Sequence, residues 1–207
     1  MNVVEVRGVR VRFGERVAVR DVSFEVAGGE VYALLGGVGA GKTTVLEVAS
    51  GLRRPEAGVV KVRGADPCDA PVSVGWRDGG LFPGLTVAEV VDTWRRWTLD
   101  PLTRDEALAL AGLQPEARFE ALSPGERRLL DLTLALIGRS DVLFLDEPTS
   151  GLDAASSDLV WAMLRKAGVT TVVATRELDE ACRADRIGIL EKGALVTACA
   201  SGFLRAA

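Results

Sequence analysis

The chain has 207 residues, 48% of them apolar and 26% charged, a balance expected of one globular domain with a real core. Its net charge of −4 leaves no electrostatic footprint for nucleic acid. The sequence has no histidine, which excludes His-based metal sites and His general bases.

Three widely spaced cysteines, Cys68, Cys182 and Cys199, argue against a disulfide framework or a zinc site and fit reduced thiols. Residues 1–7 alternate apolar and charged side chains and lack the apolar stretch of a signal peptide. No apolar run approaches the roughly 20 residues of a membrane span. The expectation is a cytosolic chain without direct membrane insertion, reaching a membrane only through a partner.

In chain order, β-branched and aromatic runs predict strands at 9–13, 17–26 and 31–35, with a turn at Gly28-Gly29. A helix is predicted over 43–51, and further strands at 59–62 and 72–76. The middle changes character: 87–97, 104–111 and 124–137 carry helical periodicity. The last third alternates, with strands at 142–145, 169–174 and 187–190 and helices at 154–166 and 178–183. That alternation implies an α/β fold with a largely parallel sheet covered on both faces.

The segment Gly36-Gly37-Val38-Gly39-Ala40-Gly41-Lys42-Thr43-Thr44 fits the phosphate-loop pattern G-x-x-x-x-G-K-[ST], between a predicted strand and a predicted helix. Glycines let the backbone turn tightly and aim successive N–H groups at phosphates. The helix that follows presents its positive end to the same anion. Lys42 can reach the terminal phosphates, and the Thr43 hydroxyl can ligate Mg²⁺. Downstream, the apolar run 142–145 ends in Asp146-Glu147. Asp146 suits the Mg²⁺ water shell, and Glu147 suits a general base for water.

Taken in order, these stretches resemble the ATP-binding cassette family, over about residues 3–195. Leu122-Ser123-Pro124-Gly125-Glu126 is similar to the family's signature LSGGQ, and 146–153 to its Walker B end running into the D-loop. Leu81-Phe82-Pro83 resembles the segment after the Q-loop, and Phe13 lies where the family puts an aromatic under adenine. Each piece also has a local reading. Ser123 with Glu126 makes a capping box, Asp153 suits a helix N-cap, and Phe13 suits a packed aromatic.

The resemblance implies a P-loop NTPase of ABC type. It would be a single domain over 1–207, with a mostly parallel core sheet (1–83 and 131–207), an antiparallel β-subdomain and a helical subdomain over about 84–130. It implies ATP and Mg²⁺ as cofactors and a head-to-tail pair of cassettes, homo- or heterodimeric. In that pair Ser123, Gly125 and Asp153 approach nucleotide held by the opposite phosphate loop. It also implies a membrane-spanning permease docked on the helical lobe at the cytoplasmic face, with ATP hydrolysis coupled to transport, and export as the expected direction. Only about 80 residues separate Lys42 from Ser123, too few for the coiled-coil insertion of the family's DNA-repair members.

Three positions depart from the family pattern. The Q-loop glutamine is replaced by Arg77, with Asp78 beside it as a substitute metal ligand. The switch histidine is replaced by Arg176, which can either clamp the terminal phosphate or pair with Glu147. Pro124 replaces the first signature glycine and removes one N–H. Slow hydrolysis is therefore expected. The alternative is a regulatory cassette with little or no hydrolysis, paired with an active one.

Overall fold

A computed structural model of the chain describes residues 1–77 and 79–200. Two sheets organise it. A three-stranded antiparallel sheet has the order β2-β1-β4, from β1 (Asn2–Phe13), β2 (Arg16–Ala27) and β4 (Ala57–Val62). A six-stranded sheet has the order β5-β6-β7-β3-β8-β9. Its members are β3 (Val31–Leu35), β5 (Val72–Gly75), β6 (Val142–Asp146), β7 (Thr170–Thr175), β8 (Arg186–Glu191) and β9 (Ala194–Ala200). Five strands run parallel, and β9 adds antiparallel to β8 at the edge.

The central strands β3, β6 and β7 are buried on both faces, which explains their largely apolar sequence. Side chains alternate between the two faces along each strand. Val31 and Ala33 of β3 join one core with Leu143, Leu145 and Val173. Tyr32 and Leu34 join the other with Val142, Phe144, Val172 and Ala174. The first core is completed by α2 (Val87–Arg96), α3 (Arg104–Ala111), α4 (Pro124–Leu136) and α5 (Ala154–Ala167). The second is completed by α1 (Lys42–Ala49) and the antiparallel sheet.

Helix starts follow local chemistry. Thr86/Glu89, Thr103/Glu106 and Ser123/Glu126 each form a full capping box at α2, α3 and α4. Gly112 and Gly168 end α3 and α5 in the left-handed conformation.

Several predicted bounds shift. The first strand begins at Asn2, because it pairs with both β2 and β4 along its length. The helix expected over 178–183 is the shorter α6 (Leu178–Ala181), since the chain must turn to let Asp185 N–H donate to the Val31 carbonyl at 2.8 Å. The strand β9 was not expected, because Ala194–Ala200 carries few strand-forming side chains.

Candidate functional site

β3 ends at Leu35, and the loop 36–41 carries the chain into α1. The loop has little room for side chains. A Cβ on Gly36 would lie 2.5 Å from the Leu190 carbonyl oxygen, and one on Gly41 would lie 2.7 Å from that of Ala18. Gly41 also has φ 103° as the N-cap of α1, a conformation that favours glycine. A cavity of about 190 Å³ above the loop is lined by Phe13, Arg16, Ala18 and residues 39–44. Gly36, Gly37 and Val38 complete the loop, with Val38 exposed.

Lys42 is 7% exposed. Its Nζ donates to the Gly36 carbonyl at 2.8 Å and the Gly37 carbonyl at 3.2 Å, and lies 3.7 Å from Glu147 Oε1. Burial holds the Lys42 ammonium below its ordinary pKa, opposed by the charges of Glu147 and Asp146. Thr43 Oγ1 donates to Asp146 Oδ2 at 2.8 Å. Asp146 Oδ1 is buried and accepts no hydrogen bond among the described residues. Burial raises the Asp146 carboxyl, and Thr43, Lys42 and Arg77 oppose the rise.

An acceptor oxygen buried without a donor is costly unless something positive meets it. One carboxylate and one hydroxyl, side by side at the mouth of a phosphate loop, are a donor set that suits Mg²⁺ shared with phosphate oxygens. Asp78, the third expected metal ligand, lies outside the described residues.

Glu147 follows β6 with φ 51°, a left-handed conformation costing about 1–2 kcal/mol for a non-glycine residue. Its backbone is held on both sides. Its N–H donates to the Ala174 carbonyl at 2.8 Å, and its carbonyl accepts from Arg128 at 3.2 Å. The strained geometry turns the carboxylate toward Lys42 and Arg176. Arg176 Nε lies 3.1 Å from Oε1 and 3.2 Å from Oε2. Arg176 stands just past β7, whose last carbonyl, on Thr175, accepts from Gly36 N–H at 3.2 Å. The phosphate loop, Glu147 and Arg176 thus share one backbone frame.

Phe13, 44% exposed, closes one side of the cavity. The Arg53 guanidinium stacks 4.6 Å from its ring centroid and is tied to Glu47 at 2.6 Å. Thr44 lines the same cavity.

Ser123, Gly125 and Asp153 sit elsewhere. Ser123 and Asp153 are helix N-caps, donating no side-chain proton in those caps but accepting N–H groups of Glu126 and Ser156. A Cβ on Gly125 would lie 2.4 Å from Ser156 Oγ, so this glycine lets α4 approach α5. None of the three lines the cavity over the phosphate loop. Pro124 occupies the first turn of α4, where a missing N–H is tolerated. Arg77 is exposed and lines a second cavity with Pro124, Arg128 and Ser150.

Two residues were missed by the sequence reading. Arg128, buried in α4, donates to the carbonyls of Trp76 and Pro148 at 2.7 Å each, besides Glu147. Its position three residues after Gly125 and four before Leu132 puts it on the apolar stripe of the helix, which is the available signal. Glu180, buried in α6, accepts from Thr149 Oγ1 at 2.6 Å, tying the segment after Glu147 to the segment after Arg176.

Residues 19–150 match the family described as ABC transporter. The chain is 36% identical to the Nod factor export ATP-binding protein I of Burkholderia lata, over 92% of this chain and 68% of that one. It is also 36% identical to the doxorubicin resistance ATP-binding protein DrrA of Mycobacterium tuberculosis, over 93% of this chain and 64% of the relative. The chain thus spans about two thirds of the length of these curated relatives. In fold it is similar to cbiO1 of Clostridium perfringens, part of the ABC transporter complex cbiONQ, with TM-score 0.85, 22% identity and coverage of 99% and 91%. It is similar, too, to a dimeric ATP-binding cassette in a post-hydrolysis state with ADP and Pi, with TM-score 0.76, 22% identity and coverage of 96% and 98%. The chain belongs to the ABC transporter family, as an ATP-binding cassette.

Proposed function

We propose that the chain is the ATP-binding subunit of an ABC exporter, coupling ATP binding and hydrolysis to substrate movement by a separate membrane permease. The observation that carries this reading is the convergence of Lys42, Thr43, Asp146 and Glu147 on one phosphate loop. In the proposed mechanism, loop N–H groups and Lys42 receive the phosphates. Lys42 then exchanges its bonds to the Gly36 and Gly37 carbonyls for phosphate oxygens. Thr43 and Asp146 would hold Mg²⁺, which would neutralise phosphate charge. Glu147 orients the attacking water and accepts its proton. Phe13 stacks on the base.

Arg176 sets the rate in this reading. Arg176 Nε faces both carboxylate oxygens of Glu147, so Arg176 must release Glu147 before that carboxylate can meet the attacking water. Hydrolysis is accordingly slow. Ser123, Gly125 and Asp153 serve the opposite cassette of a dimer, in keeping with their absence from this chain's own cavity.

The permease would dock beside the edge strand β5. A cavity of about 450 Å³ opens there, lined by Trp76, Phe82, Trp94 and Asp131 among others. Leu81, Trp97 and Leu99 are exposed at 79%, 77% and 93%. An apolar surface of this kind marks a contact site. Among the described residues no helix is long and apolar enough to cross a membrane, so a separate membrane partner at the cytoplasmic face is part of the proposal. The names of the curated relatives support export.

Calorimetric titration with Mg·ATP tests the binding step. The wild-type chain should bind, Lys42→Ala should lose at least about tenfold in affinity, and Asp146→Asn should lose the dependence on Mg²⁺. Equal affinity in all three would refute this site.

A further inference from the structure

Arg16 has no role in the site as assembled so far, yet it lines the cavity above the phosphate loop. It opens β2, directly across from Phe13 in the β1–β2 register. A tight turn at Gly14, with φ 58°, brings the two strands together and points both residues to the same end of the antiparallel sheet. One guanidinium nitrogen of Arg16 comes within 3.8 Å of where a Cβ on Gly39 would stand. The charge therefore sits over the phosphate loop itself.

The arginines near it are neutralised. Arg10 and Arg12 face Glu56, Arg7 faces Glu5 and Glu25, and Arg53 is tied to Glu47. Arg16 has no carboxylate within ion-pair distance among the described residues. A guanidinium without a counter-ion, lining one cavity with Lys42 over the phosphate loop, adds to one positive field. Its planar fork suits phosphate oxygens better than a base edge.

We propose that Arg16 is a phosphate-binding residue of this cassette, reaching the nucleotide from the β1–β2 hairpin on the side opposite Lys42's helix. The inference rests on the nucleotide reading above and adds a contact to it. Phe13 and Arg16 then divide the work of one hairpin: the ring takes the base and the guanidinium takes the phosphates.

That division gives the test. Affinities of the wild-type chain, Arg16→Ala, Arg16→Lys and Phe13→Ala are measured by calorimetry for ATP and for inorganic tripolyphosphate, which has no base. Arg16→Ala should weaken both ligands in parallel, by about threefold to tenfold, as loss of an exposed charge-assisted contact would. Arg16→Lys should recover part of that loss, and the loss should shrink at high salt. Phe13→Ala should weaken ATP and leave tripolyphosphate unchanged. Unaltered affinity of Arg16→Ala for both ligands would overturn the inference, as would weakening of ATP alone. Failure of the wild-type chain to bind either ligand would instead overturn the nucleotide reading beneath it. Arg16 is exposed on a hairpin, so thermal melts matching the wild type are expected for its variants.

Discussion

Arg176 Nε contacts both carboxylate oxygens of Glu147, at 3.1 and 3.2 Å, while Lys42 approaches the same carboxylate at 3.7 Å. The two residues are 29 positions apart and meet because β6 and β7 are adjacent parallel strands, with Asp146 opposite Ala174. Glu147 is nearly buried and Arg176 about one-third exposed, so the pair stands at the rim of the site. In the proposed mechanism the contact is released by movement or by competition from phosphate.

Arg128 holds three backbone carbonyls from two separated segments, at Trp76 and at Glu147-Pro148. Arg128→Met keeps the stem but strands those acceptors. The expected cost is about 2–4 kcal/mol, read as a lower urea midpoint, since each buried acceptor left without a donor costs about 1–3 kcal/mol. Arg128→Lys should recover only part, because an ammonium on a flexible stem does not reproduce the planar fork.

Glu180 should make stability depend on pH in a defined direction. Burial raises its carboxyl above the ordinary value of 4.5, with the hydrogen bonds from Thr149 and Thr175 opposing the rise. The folded chain therefore holds this proton more tightly than the unfolded chain does. The stabilisation is full below the unfolded value and is lost as pH rises through the folded one. Glu180→Gln keeps an acceptor for Thr149 and removes the buried charge. Thermal melts should show the variant gaining on the wild type by about 1 kcal/mol as pH rises from 5 to 8. A gap that does not change with pH would contradict this.

Gly41→Ala tests the loop geometry. The new Cβ would meet the Ala18 backbone oxygen at 2.7 Å with φ at 103°, and that oxygen cannot swing away as the end of a flexible side chain could. A strain of about 1–3 kcal/mol is expected. It should appear as a lower melting temperature together with weaker ATP binding. Gly112→Ala, with open space around it and a φ of 65°, should lose stability without losing affinity.

The phosphate loop was legible because its chemistry is local: spacing, glycines and one lysine are consecutive in the chain. The strand ending in Asp146-Glu147 was legible for the same reason, as an apolar run with two acids at its end. The capping boxes at Ser123 and the N-cap at Asp153 also follow from residues three apart. What the sequence left open is long-range. It allowed Arg176 either a phosphate or Glu147 as partner, and the contact with Glu147 arises from the adjacency of β6 and β7 in the fold. The role of Arg128 depends on carbonyls 19 to 52 residues away, which no local pattern reports. The edge strand β9 was invisible because pairing with β8, not its own small side chains, makes it a strand.

The central claim, that Glu147 is the base and Arg176 restrains it, is tested most directly by phosphate release from Mg·ATP. The wild-type chain is compared with Glu147→Gln and Arg176→His, alone and with the proposed permease partner. Slow release is expected from the wild type and none above background from Glu147→Gln. Arg176→His should release phosphate about tenfold faster, since a freed carboxylate can act as general base. Release by Glu147→Gln at the wild-type rate, or a slower Arg176→His, would contradict the account and make the arginine a phosphate clamp instead.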